Sequence, residues 1–226
     1  MGKINKSKKL LVAKRLLVEG KSELRVFPQL IEKNGILWED NQGEPIVSIK
    51  ECDGYENITS ELISTEFKAT GLTHLGLIID ADFNVVERWQ SIRNICLKLE
   101  NINDNDLPVK IPETGLIIDT IDNKKFGIWM MPDNQNRGML ETFLAYMIKD
   151  ESEPLWQYTQ EVVIEAKNRG AKFIDEHIDK ARIHSWLAWQ NPPGTQLHDA
   201  VKFKILDPEH PKAQAFVKWF KDLYDL

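Results

Sequence analysis

"HLGLIIDADFN" occupies residues 74–84, and its reading decides the fold. Leu75, Leu77, Ile78 and Ile79 form a near-continuous apolar run. Such a run suits a strand in a sheet covered on both faces. It stops abruptly at Asp80-Ala81-Asp82. Two carboxylates at i and i+2 on extended backbone point to the same side, so both can face one ion. Hard oxygen ligands of this kind suit Mg²⁺ or Mn²⁺ far better than zinc. A plainer use is open too: Asp82 or Asn84 could cap a helix starting at Val85. Capping accounts for one of these side chains and leaves two neighbouring acids unexplained.

Upstream, "KRLLVEGKSELRVFPQLIEKNG" at residues 14–35 carries the same kind of corner. An apolar strand over 10–18 ends at Glu19 and Gly20, and a helix over 22–34 follows with Leu24, Val26, Phe27, Leu30 and Ile31 at helical spacing. Open α/β sheets place their ligands where strands hand over to helices. A solvated turn could also hold a glutamate there. Between the two corners lie a polar loop at 35–45, a short strand at 45–54 and a helix at 56–71 that Gly71 stops.

Downstream, a helix over Val85–Leu99 leads through an Asn/Asp-rich linker at 101–106 to two apolar runs, "TGLIIDT" and "FGIWMMPD". The "IDNKK" between them reads as a hairpin. Beyond residue 138 the pattern is helical, at 139–149, 154–180, 183–190 and 209–224, with a loop at 191–199. Strand–helix alternation first and helices last predict an α/β fold, a mostly parallel sheet flanked by helices with a helical C-terminal section. The expected division is a core at 1–150 and a section at 151–226 packed on it or extending it.

The chain has 226 residues, 42% of them hydrophobic and 28% charged, enough for one sizeable core. No apolar stretch is long enough to span a membrane. Lys14 and Arg15 interrupt the apolar residues behind the basic N-terminus, so no signal-peptide core is expected. Lys6 stands where a myristoylation signal wants Ser or Thr. Cys52 and Cys96 lack metal-binding spacing and read as buried thiols of a cytoplasmic protein. The net charge of −6 argues against a strong grip on nucleic acid by this chain alone. It leaves room for a local basic face, or for acids neutralised by metal ions.

With both corners in view, the order of elements resembles the Toprim domain, the catalytic module of topoisomerases, DnaG-type primases and OLD-family nucleases. "LLVEG" at 16–20 is similar to its first motif, and "LIIDAD" at 77–82 to its second. The resemblance covers roughly residues 10–150 and implies a Toprim-like fold. It implies Glu19 as the catalytic glutamate and Asp80 and Asp82 as the metal-binding pair. "MMPDNQNRGMLETFL" at 130–144 looks like the later acidic element of OLD-type nucleases and their small stand-alone relatives, which adds Asp133 and Glu141 to the shell. For these two a Pro-Asp turn and helix-dipole complementarity are the structural alternatives.

The implied activity is cleavage of nucleic acid, DNA before RNA, with Mg²⁺ or Mn²⁺ as cofactor. Asp80 and Asp82 would bind one ion, and Glu19 the second, or act as base on the attacking water. The stand-alone relatives pair with a separate ABC/AAA-like ATPase in phage defence, so such a partner is implied, and a homo-oligomer is open. Phe83-Asn84 departs from the small residues that follow this motif in topoisomerases. OLD-type nucleases also carry a late lysine, for which Lys202 and Lys204 are the candidates here.

Two rival readings remain. "LIIDADFNVV" nearly fits the haloacid-dehalogenase-type phosphatase pattern, but that family sets the motif on its first strand and would leave Glu19 without a role. A non-catalytic regulatory subunit could keep the fold and bind a partner. Trp186, Trp189 and Trp219 lie in helical patterns and are expected in the core. The five histidines are scattered and form no zinc-type pair.

Overall fold

The computed structural model describes residues 13–226. The part of the first expected strand at 10–12 lies outside them. The elements run β1 (Lys14–Val18), α1 (Lys21–Lys33), β2 (Ser48–Glu51), α2 (Ser60–Phe67), β3 (His74–Asp80), α3 (Val85–Cys96), β4 (Leu116–Asp119), β5 (Lys125–Met131), α4 (Leu140–Ala145), α5 (Glu153–Asn168), α6 (Ile178–Ala188), α7 (Leu197–Lys202) and α8 (Pro211–Tyr224). The strands form one sheet in the order β2-β1-β3-β5-β4. β1, β2, β3 and β5 are parallel, and β4 turns back antiparallel on β5. This is the mostly parallel α/β arrangement expected, consistent with a Toprim-like fold.

Strand alternation sorts the side chains onto two faces. Leu16, Val18, Ile78, Trp129 and Met131 point to one, where they meet α1, α4, α6, α7 and α8. Leu17, Leu75, Leu77, Ile79, Phe126, Ile128 and Met130 point to the other, against α2 and α3. Both faces are therefore dry, which is why β3 reads as an unbroken apolar run. Cys96 lies in the second cluster as a free thiol, pushed up to about 12 by burial.

α8 shows how closely the C-terminal helices belong to this core. Gly76 and Gly127 are direct partners across β3 and β5, and they leave a groove in the sheet that the helix fills. A Cβ at Gly127 would come within 2.7 Å of Leu223 and 3.1 Å of Trp219. The Tyr224 hydroxyl donates to the Arg15 carbonyl on β1 at 2.7 Å, and Trp219 Nε1 donates to the Leu116 carbonyl on β4 at 3.1 Å. Among the described residues, no helix is long and apolar enough to cross a membrane.

Three local expectations change. The helical pattern at 154–180 is broken, because Gly170 takes φ 100°. Its N–H and that of Ala171 close onto the carbonyls of Lys167 and Ala166, so a Schellman turn ends α5. Residues 197–199, expected to end a loop, instead open α7, which buries Leu197, Ala200 and Val201 against α1. Trp186 and Trp219 are core residues as expected, but Trp189 is 43% exposed and stacks on Tyr158.

Candidate active site

β1 lies inside the sheet, with β2 at the edge on one side and the central strand β3 on the other. The chain crosses over between them, so the crevice beyond the carboxyl ends of β1 and β3 is the topological switch point where such sheets bind ligands. Glu19 leaves β1 and Asp80 ends β3 at this place. The Asp80 N–H donates to Glu19 Oε1 at 2.8 Å. Asp80 Oδ1 in turn accepts the Leu140 N–H at 3.1 Å, which ties the start of α4 to the end of β3.

Three helix starts complete the ring. Glu23 lies in the first turn of α1 and Glu141 in the first turn of α4, 6% and 3% exposed. Lys180 lies in the first turn of α6, with Nζ 3.1 Å from Glu141 Oε1. Together with Asp53 from the exit of β2, these groups line a cavity of about 400 Å³.

The electrostatics are dominated by crowded negative charge. Burial pushes Glu19 up to about 7; the Asp80 N–H and Arg88 oppose this, while Asp82 and Glu23 add to it. Asp80 is raised well above the ordinary carboxylate range, first by burial and then by Glu19, Glu23, Glu141 and Asp82. Glu23 is raised as well, by burial and by Glu141 and Glu51, against Lys180. Burial alone would lower Lys180, but Glu141, Asp80 and Glu23 outweigh it and hold the ammonium above its usual range.

The donor set suits a hard divalent cation, since a dication would relieve charge that the fold forces out of water. Among the described residues, no three His, Cys, Asp or Glu side chains already converge on one point that could hold an ion.

The structure brings Glu19, Asp80 and Glu141 into one cavity and treats Asp82 and Asp133 differently. β3 ends at Asp80, so the extended-backbone argument for a pair stops there. Asp82 takes φ 50° and exchanges two backbone hydrogen bonds with Gly138, each 2.8 Å. Its carboxylate pairs with Arg88. Its charge still raises Glu19 and Asp80, so it borders the cavity without lining it. Capping of α3 falls to Asn84, whose Oδ1 accepts from Val86 and Glu87.

Asp133 holds a loop together. It accepts from the backbone N–H groups of Gln135 and Asn136, from the Asn136 side chain and from the Tyr146 hydroxyl at 2.8–3.0 Å. Burial pulls it upward, but these donors win and hold it below the usual carboxylate range. The Pro-Asp turn is what the geometry supports for this residue.

Lys202 and Lys204 also lie elsewhere. Both are exposed; Lys204 pairs with Glu209 at 3.1 Å, and Lys202 sits 5.8 Å over Phe203. The lysine beside the acids is Lys180.

Residues 13–225 match the family described as "Protein of unknown function (DUF3226)". The chain belongs to that family. Two solved structures of the C-terminal region of the Xanthomonas campestris pv. campestris OLD protein, phased with mercury and with platinum, are similar to it. They share 17% and 14% identity, with TM-scores of 0.45 and 0.46, over 96% and 94% of this chain and 98% and 94% of theirs. No match was found among curated proteins.

Glu23 and Lys180 were missed by motif reading, yet each leaves a trace in the pattern. Glu23 shares a helical stripe with Phe27, Leu30 and Ile31, and Lys180 one with Ile183 and Leu187, all of them buried apolar positions. A charged residue that opens an otherwise apolar stripe sits where the core-facing side of the helix begins, which buries Glu23 and leaves Lys180 half-buried. There it needs a partner or an ion.

Proposed function

We propose that this protein is a divalent-metal-dependent nuclease that hydrolyses phosphodiester bonds in nucleic acid, with DNA as the expected substrate. The observation that carries this reading is the meeting of Glu19, Asp80, Glu23 and Glu141 in one cavity at the switch point, with Lys180 among them. Glu19, Asp80, Glu23 and Glu141 are the candidate holders of Mg²⁺ or Mn²⁺, and Asp82 would join them on release from Arg88. A bound ion would polarise the scissile phosphate and make water a nucleophile near neutral pH.

The chain's own groups supply the rest. Glu19 either holds the second ion or accepts a proton from the attacking water. Its bond to the Asp80 N–H fixes which oxygen remains free to do so. Lys180 presents a cation where charge develops on the phosphoryl oxygens. A phosphatase that used Asp80 as nucleophile would leave this Glu19 arrangement without a role.

The resemblance of the motifs also supports an ABC/AAA-type ATPase as partner and a place in phage defence. The net charge of −6 fits a chain that depends on a partner for its grip on nucleic acid.

The test is cleavage of plasmid, linear and single-stranded DNA and of RNA in Mg²⁺ and Mn²⁺, by wild type, Glu19→Gln and Asp80→Asn. Metal-dependent cleavage that both variants lose supports the reading. Undiminished cleavage by Glu19→Gln, or an acyl-phosphate trapped on Asp80, overturns it. Co-purification with the ATPase is done on the full chain, because α8 belongs to the core.

A further inference from the structure

Phe83 follows Asp82 directly and is 54% exposed, and Val86, one turn further on, is 65% exposed. Covering them would remove this apolar area from water at the rim of a charged site. Phe83 separates two hollows beside the acids. One, of about 280 Å³, has Tyr55, Asn84, Arg88 and Ser91 in its wall. The Arg88 guanidinium lies 3.6 Å from the Tyr55 ring centroid, and the Tyr55 hydroxyl donates to Ser91 Oγ at 2.7 Å. Two flat surfaces, a phenyl ring and an arginine–tyrosine stack, therefore border one hollow next to Asp82.

We propose that Phe83 is a base-stacking residue, and that this hollow takes the nucleobase of a single-stranded segment next to the scissile phosphate. The inference rests on the nuclease reading and adds to it the class of substrate, an unpaired strand whose bases are free to splay out. Charge decides which part of the nucleotide enters. Asp82 and Glu87 outnumber Arg88 in the lining of the hollow, and Asp82, Asp175, Glu176 and Asp179 outnumber Arg137 in the one on the far side of Phe83. The net negative balance of both hollows disfavours a phosphate and tolerates a neutral aromatic base. Every base has a π-face, so a phenyl ring and a guanidinium plane hold it without reading sequence. Asn84 and Ser91 offer polar contacts to its edge.

The experiment measures fluorescence anisotropy of a labelled short oligothymidylate on the full chain, in Ca²⁺ to suppress turnover. Wild type, Phe83→Ala, Phe83→Leu and Phe83→Trp are compared on the intact strand and on one with abasic positions. Cleavage by wild type and Glu19→Gln is followed in parallel in Mn²⁺. Phe83→Ala and Phe83→Leu should weaken binding of the intact strand by roughly tenfold, about 1.4 kcal/mol, and Phe83→Trp should restore it. On the abasic strand the four proteins should bind alike.

Equal binding of the intact strand by all four overturns the inference and leaves the patch to a protein partner. No binding by wild type overturns it as well. The parallel assay judges the nuclease reading by itself: metal-dependent cleavage lost in Glu19→Gln keeps that reading even where stacking fails. Binding without cleavage sinks the reading and keeps the stack.

Discussion

Glu19→Gln should make this protein more stable while removing its activity. Between the ordinary value of 4.5 and the value of about 7 that burial imposes on Glu19, the folded state holds a proton that the unfolded state has released. Stability therefore falls as pH rises through that window, because the unfolded state binds fewer protons there. Each pKa unit is worth about 1.36 kcal/mol, so the full interval amounts to on the order of 3 kcal/mol. Water reaches Glu19 from the cavity, which reduces the expected gain to about 1–3 kcal/mol.

Glutamine keeps the volume and can still accept the Asp80 N–H, but carries no charge. The variant should melt roughly 3–10 °C above wild type at about pH 8 in chelator, and the gap should close as pH falls below 4.5. Asp80 and Glu23 are raised in the same sense, so part of the wild-type slope should persist in the variant. Millimolar Mn²⁺ should close the gap by stabilising wild type more than the variant. The assay is thermal melting across pH with and without metal. A Glu19→Gln protein no more stable than wild type at the alkaline end would refute the account of crowded, desolvated acids.

Other expectations concern single contacts. Gly127→Val should push Leu223 and Trp219 off the sheet and destabilise the fold by about 1–3 kcal/mol or more, read by denaturant midpoint. Asp133→Ala removes the acceptor of four loop hydrogen bonds and should cost about 1–3 kcal/mol, while the melting response to Mn²⁺ stays as in wild type; loss of that response would return Asp133 to the metal shell. Lys180→Ala leaves Glu141 buried without its cation. It should lower stability by about 1 kcal/mol at neutral pH, and slow cleavage; unaltered cleavage would remove Lys180 from the site.

Much of the candidate site was legible because strands end where their apolar alternation ends. "LLVEG" and "LIIDAD" each show an apolar run broken by an acid, and a parallel sheet gathers such breaks along one edge. Glu19 and Asp80 follow from that alone. Asp82 did not, since nothing in the letters Asp-Ala-Asp tells that the backbone leaves the strand after the first acid and turns the second toward Arg88. Asp133 and Tyr146 meet only because a loop after β5 folds back on the helix that follows.

Local sequence, then, determined the strands, most of the helices, the sheet's two dry faces and the two strand-end acids. Those features depend on periodicities of two and 3.6 residues, which neighbours in the chain carry among themselves. Tertiary structure decided which charges share a cavity. Lys180 is 161 residues from Glu19 in the chain, and its place beside Glu141 follows from α6 packing against α4. The same holds for α8, whose seat depends on Gly76 and Gly127 being partners across two strands. A contact between distant segments depends on the packing of whole elements, and no local window of the sequence contains it.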